Sequence, residues 1–75
     1  MDQRLRKLPT VQATVTEVMP LFGLAYLSGD DARAWTVTKS TPGAGLHALR
    51  PGMRVDLQVS RHSDFSVVSG YAPLD

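Results

Sequence analysis

Cysteine is absent from this 75-residue chain, so no disulfide bridge contributes to its stability. No apolar run approaches the roughly 20 residues that a membrane-spanning helix needs, and the first nine residues are polar and basic, unlike a secretory signal. We therefore expect one soluble, cytoplasmic domain, near the lower size limit for a chain with a single hydrophobic core. A closed sheet suits such a chain, because closure pairs the edge strands.

Neither positive nor negative charge is in large excess, since the net charge of the chain is +1. Residues 1–9 hold three basic residues (Arg4, Arg6 and Lys7) and one acidic residue, whereas residues 10–75 hold five basic and six acidic residues. Nucleic-acid-binding proteins usually carry a basic surface, because neutralising phosphates supplies much of their affinity. We interpret residues 1–9 as a flexible basic arm and residues 10–75 as a single domain that is not itself basic.

Aromatic residues are few, and three of the five lie in residues 22–38. Side chains alternate along a strand, so residues 22–27 should place large side chains on one face and small ones on the other. The large face consists of Phe22, Leu24 and Tyr26, and the small face of Gly23, Ala25 and Leu27. A turn at residues 28–31, with Gly29 at positive φ, leads into a second strand at residues 34–38. In that strand Trp35 is expected to face inward.

Three further strands follow from the same alternation. Residues 11–15 alternate β-branched and polar side chains, and the break in this period predicts a bulge or bend near residues 17–20. Residues 53–60 alternate four apolar and four polar side chains, which is typical of a strand with one buried face. Residues 65–71 form the last strand, and residues 46–49 form at most one helical turn. Five short strands without a substantial helix predict an all-β, small five-stranded barrel that is closed or nearly closed.

On these strands the chain resembles the cold-shock domain, a small oligonucleotide/oligosaccharide-binding (OB) barrel that binds single-stranded RNA and DNA. The family motif K-G-F-G-F-I falls on residues 22–27 (FGLAYL), and V-F-V-H-F-S falls on residues 35–40 (WTVTKS), without a gap between them. The apolar and glycine positions of L-x-x-G-x-x-V-x-F-x-V fall on Leu49, Gly52, Val55, Leu57 and Val59. The resemblance covers about residues 13–74, and it implies an OB-type barrel.

The resemblance also implies a binding face, which is divergent in this chain. Members of the family stack bases on outward aromatic side chains, and Tyr26 keeps such a position. Other residue types occupy the remaining positions, namely Leu24, Thr36, Thr38, Lys39 and Glu17. Each stacked base is worth about 1 to 3 kcal/mol, so the resemblance implies only weak binding of single-stranded RNA or DNA. The residues expected to contribute are Phe22, Leu24, Tyr26, Arg33, Thr36, Thr38 and Lys39.

A protein-interaction or self-assembly module on an OB barrel is the alternative, because a surface of Leu, Tyr and Thr with little charge also suits protein contact. An enzyme is not expected. His62, Ser63 and Asp64 include the residue types of a hydrolytic triad, but adjacent side chains diverge and cannot form the necessary hydrogen bonds. His62 and Asp64 are two residues apart in one loop, and His47 could be a third metal ligand. Histidines in distant loops are more often solvated, so we assign neither a metal site nor a cofactor.

Overall fold

A computed structural model of the protein describes residues 10–74, and the basic arm expected at residues 1–9 lies outside them. Residues 10–74 form five strands and two single 3₁₀ turns, without an α-helix. The strands are β1 (Thr10–Met19), β2 (Leu24–Gly29), β3 (Ala34–Thr38), β4 (Arg54–Arg61) and β5 (Ser66–Pro73). The 3₁₀ turns are Pro20–Phe22 and Leu46–Ala48. The predicted all-β class is therefore confirmed.

The five strands form one antiparallel sheet in the order β3-β2-β1-β4-β5. The sheet curls, and β3 and β5 face each other across a groove of about 530 Å³ that both strands line. Within residues 10–74, no ladder joins these two strands. The sheet is thus a half-barrel consistent with the predicted OB-type barrel, and it is open along the β3–β5 groove.

A β-bulge in β1 decides which side chains of this strand face outward. Val15 pairs with Leu27, but the next pair is Glu17 with Tyr26, so Thr16 is the additional residue. The bulge reverses the alternation, because one extra residue shifts every later side chain to the other face. Glu17 therefore faces the same side as Tyr26, close to the bend predicted for residues 17–20.

The core lies inside the curl and contains the inward side chains of all five strands. Trp35 is 8% exposed, which confirms its predicted inward orientation. Its indole Nε1 donates a hydrogen bond to Asp31 Oδ1 at 3.3 Å. The other buried hydrophobic residues are Ala13, Val15, Ala25, Leu27, Val37, Leu49, Val55, Leu57, Val59 and Tyr71.

The turn between β2 and β3 corrects the role predicted for Gly29. Gly29 is the last residue of β2, and the positive φ belongs to Ala32 (68°). Gly29 is nevertheless suited to its position, because a β-carbon there would lie 2.8 Å from Trp35 Nε1. Its missing side chain lets the indole approach the backbone of β2, so close packing is the reason for the glycine.

The long connection between β3 and β4 is attached to β5 through Tyr71. The buried Tyr71 hydroxyl accepts a hydrogen bond from Gly45 N at 2.9 Å, and Tyr71 N donates to Pro42 O at 3.1 Å. Strand β5 begins at Ser66, one residue after the start predicted at Phe65. Phe65 belongs to the connection that follows β4. There its ring stacks on His62 at a centroid distance of 4.7 Å.

Candidate functional site

The outer surface of β1, β2 and β3 carries two rows of directly paired side chains, which we call the outer face. One row is Glu17, Tyr26 and Thr36, and the next is Met19, Leu24 and Thr38. Directly opposite residues of an antiparallel pair have β-carbons about 4.5 to 5.5 Å apart. Tyr26 is 41% exposed and Leu24 is half-buried. The phenol ring of Tyr26 is therefore accessible, with a carboxylate on one side and a hydroxyl on the other.

Phe22 does not lie on the same strand as Leu24 and Tyr26, because β2 begins at Leu24. This corrects the strand predicted for residues 22–27. Phe22 ends the 3₁₀ turn that begins at Pro20, and Gly23 then takes a left-handed conformation (φ 70°). Gly23 N donates to Pro20 O at 3.0 Å, so the chain turns before β2 starts. Phe22 is still 75% exposed, and Leu21, which the alternation did not single out, is 97% exposed.

The two cations expected in the site lie at opposite ends of β3. Lys39 N donates to Gly23 O at 2.9 Å, and its side chain crosses Gly23, where a β-carbon would lie 3.1 Å from Lys39 Cδ. Arg33 precedes β3 and lines the groove between β3 and β5. With about 3.4 Å per residue, the two positions are about 20 Å apart along the strand. A ligand that contacts both cations must follow β3.

The two threonines of β3 differ in the hydrogen bonds that their hydroxyls make. Thr38 Oγ1 accepts from Ser40 N at 3.1 Å, and Thr38 N donates to Thr41 Oγ1 at 3.0 Å. Thr38 therefore stabilises the turn after β3. Thr36 Oγ1 makes no hydrogen bond with other residues in the range 10–74, so it is the threonine available to a ligand.

The β3–β5 groove adjoins the outer face along β3. Five of the residues that line it belong to β3 or immediately precede it, and β5 contributes three. They are Arg33, Ala34, Trp35, Thr36 and Thr38, with Ser66, Val67 and Val68 opposite. Sequence alternation identified the β3 residues but not the groove, because the groove exists only where the curl brings β5 opposite β3. Met19 was missed for a related reason, since its orientation depends on the exact position of the bulge.

An ion pair fixes the β2–β3 turn to the neighbouring strands, next to the outer face. Arg54 on β4 donates to both carboxylate oxygens of Asp30, at 2.9 and 2.6 Å. Arg54 Nη1 also donates to Thr14 Oγ1 on β1 at 2.9 Å. The hydrogen bond from Arg54 lowers the pKa of Asp30, and the same bond raises the pKa of Arg54. Because both groups are exposed to solvent, the pair contributes little to stability.

The Asp30–Arg54 pair predicts a small loss of stability in acid. A carboxyl whose pKa is depressed by folding stabilises the folded state above its unfolded pKa, and this contribution is lost as pH falls through the folded pKa. We expect Asp30→Asn to lower the urea midpoint slightly at pH 6. The difference from the original protein should shrink as the pH falls below about 4, the usual aspartate value, and should disappear only below the depressed pKa of Asp30. Asp64→Asn is the control, because Asp64 is exposed and unpaired within residues 10–74. A difference that persists unchanged at pH 3 would contradict the role of the pair.

The described residues do not bring together the side chains of a metal site or of a hydrolytic triad. Across residues 10–74, no group of three or more His, Cys, Asp or Glu side chains could hold a metal ion. His62 instead stacks on Phe65. The outer face and the adjoining groove are the two candidate binding surfaces of the described residues.

Comparisons with known proteins give no match. No family model matches the chain, and no curated protein or solved structure matches it significantly. In the part of the chain that the structure describes, none of the helical segments is long and apolar enough to cross a membrane.

Proposed function

We propose that the protein is a cytoplasmic binding protein, not an enzyme, that binds single-stranded RNA or DNA weakly on the outer face. The observation that carries this proposal is the position of Tyr26. Its ring is exposed on β2, between β1 and β3 of the curled antiparallel sheet, and both its cross-strand neighbours are polar. Aromatic rings in such positions bind single strands by stacking on successive bases. The resemblance to the cold-shock domain supports the same surface.

The charge and the number of aromatics indicate that binding is weak. Tyr26 and Phe22 offer at most two rings, worth about 2 to 6 kcal/mol if each stacks on one base. Lys39 and Arg33 add positive charge at the two ends of β3, whereas Glu17, on β1 and opposite Tyr26, repels phosphates. Together these contributions correspond to a dissociation constant on the order of 100 µM at low salt.

Replacing Tyr26 by alanine tests the proposal. We expect the affinity for a short fluorescent pyrimidine oligonucleotide to fall about tenfold, because one stacked base contributes about 1.4 kcal/mol or more. Fluorescence anisotropy at low salt measures the change. The affinity of the original protein should also fall as salt is raised, since phosphate contacts release counterions.

Phe65→Ala is the matched control. Phe65 is also an exposed aromatic residue, at 59%, but it lies in the connection between β4 and β5 and not on the outer face. Its replacement should leave the affinity unchanged. Equal losses in the two variants, or none in Tyr26→Ala, would rule out stacking on Tyr26.

A protein partner is the second candidate, and the exposure of Leu21 and Phe22 favours it. These two side chains are next to Met19 and Leu24, so an apolar surface extends from the 3₁₀ turn onto the outer face. Such surfaces are typical of protein contacts. Light scattering and a pull-down would test this candidate, with Leu21→Ser as the variant that should release a partner or a second copy. A monomer that retains no partner would count against it.

A further inference from the structure

Glu17 is the acidic neighbour of the ring on which the proposed function depends. It lies directly opposite Tyr26 in the β1–β2 ladder. Its side chain is exposed, and it makes no hydrogen bond or ion pair with any other residue in the range 10–74. The bulge at Thr16 places it there, since without the additional residue its side chain would face the core. Among the described residues, nothing occupies this carboxylate, so none of them prevents it from meeting a ligand that covers Tyr26.

The edge of a base stacked on Tyr26 comes close to both neighbours of the ring. The β-carbon of Glu17 is about 5 Å from that of Tyr26, and the glutamate side chain is long enough to rise beside the stacked base. An ionised carboxylate accepts hydrogen bonds and donates none. On the opposite side, the Thr36 hydroxyl both donates and accepts, so it does not discriminate between bases.

Bases differ in what they offer to such an acceptor. Cytosine presents the N4 amino group, a donor that glutamate is known to accept, and adenine and guanine also carry amino donors. Uracil and thymine present the O4 carbonyl at the corresponding position. Two acceptors that face each other repel and leave both groups unsatisfied. Beside the 4-position of a pyrimidine, the carboxylate thus favours an amino group over a carbonyl; the N3–H donor of uracil and thymine lies one position further along the same edge.

We propose that Glu17 makes the Tyr26 position selective for bases that carry an amino group, cytosine among the pyrimidines, over uracil and thymine. This inference rests on the proposed function. It also explains how a carboxylate suits a nucleic-acid surface, because Glu17 lowers the affinity for every phosphate chain but increases the difference between bases. Selectivity here comes from a repulsive contact as much as from an attractive one.

The test compares oligocytidine and oligouridine six nucleotides long. The two bases are of nearly equal size, so stacking on Tyr26 is similar. They differ at the 4-position, where cytosine has an amino group and uracil a carbonyl, and at N3, which is an acceptor in cytosine and a donor in uracil. We expect oligocytidine to bind the original protein about fivefold more tightly, as one hydrogen bond to a charged group at an exposed site allows. In Glu17→Gln the ratio of the affinity for oligocytidine to that for oligouridine should approach one, because an amide both donates and accepts hydrogen bonds. Both affinities should rise as the negative charge is removed.

Asp56→Asn separates selectivity from general electrostatics. Asp56 lies on β4, where it pairs with Gln12 and Ala72, and its replacement changes the net charge by the same amount as Glu17→Gln. Asp56→Asn should slightly increase the affinity for both oligonucleotides and leave the ratio of the two affinities as in the original protein. A ratio that falls equally in both variants would overturn the role of Glu17. Far-UV circular dichroism confirms that each variant is folded.

The Tyr26→Ala arm distinguishes failure of this inference from failure of the proposed function. If both oligonucleotides bind in a Tyr26-dependent way but without a preference for cytosine, Glu17 is not selective and the binding surface remains. If binding is absent or independent of Tyr26, the proposed function fails and the selectivity fails with it. Preference for oligouridine would also overturn the inference.

Discussion

Replacing Trp35 by alanine is expected to lower the free energy of unfolding by about 3 to 5 kcal/mol. Trp35 is the largest side chain in the core, and it is buried between the strands that flank the β3–β5 groove. A domain of this size has a total stability of only about 4 to 11 kcal/mol, at about 0.05 to 0.15 kcal/mol per residue. The variant should therefore be close to its unfolding transition at room temperature.

Urea denaturation followed by far-UV circular dichroism measures this change, since the variant loses the protein's single tryptophan. Trp35→Phe is the control, because it keeps most of the buried aromatic area and loses the hydrogen bond to Asp31. We expect it to cost about 1 to 2 kcal/mol. A loss below about 1 kcal/mol in Trp35→Ala would show that the indole does not fill the core.

Replacing Leu57 by alanine has the second largest expected effect, a loss of about 3 kcal/mol. Leu57 has no exposed surface, and its partners in the sheet are Val11 on β1 and Tyr71 on β5. It therefore lies where three strands meet the same core. The cavity left by the smaller side chain cannot fill without moving those strands.

Trp35 fluorescence in urea reports the unfolding of Leu57→Ala. The midpoint should fall while the dependence on urea concentration stays unchanged, because the surface exposed on unfolding is almost the same. Gln58→Ala is the matched control on the next residue of β4. Its side chain is exposed, so its replacement should change the stability by no more than about 0.5 kcal/mol. Equal effects at the two positions would contradict the facing of β4.

The strands with regular alternation could be predicted from the sequence. Strand β3 has the predicted bounds, residues 34–38, and β4 buries Val55, Leu57 and Val59 as expected. In both strands, apolar and polar side chains alternate without interruption, so the period of two alone indicates the buried face. The all-β class follows from five such segments and the lack of a helical period.

The irregular positions could not be predicted, because tertiary contacts decide them. Gly29 was expected to supply positive φ, but the turn places Ala32 there instead. The carboxylate of Asp31, bonded to Arg33 N and to Trp35 Nε1, stabilises this turn, and neither bond is visible in a residue pattern. Phe22 was placed on β2 because alternation alone does not show that Pro20 begins a 3₁₀ turn.

The candidate site was predicted in its residues more than in its shape. Tyr26, Thr36 and Glu17 form one cross-strand row, which the alternation and the resemblance indicated. The β3–β5 groove depends on the curl of the whole sheet, so no local pattern could reveal it. The hydroxyl of Thr38 accepts a hydrogen bond in the turn after β3, which alternation along the strand does not reveal.

An NMR titration of the isotope-labelled protein with a short pyrimidine oligonucleotide at low salt tests the binding surface most directly. Stacking on Tyr26 predicts the largest amide shifts at Glu17, Tyr26 and Thr36, smaller ones near Lys39, and none in the connection between β4 and β5. These shifts should shrink as salt is raised. Unchanged amide signals throughout residues 17–39, or shifts confined to β4 and β5, would contradict nucleic-acid binding on the outer face.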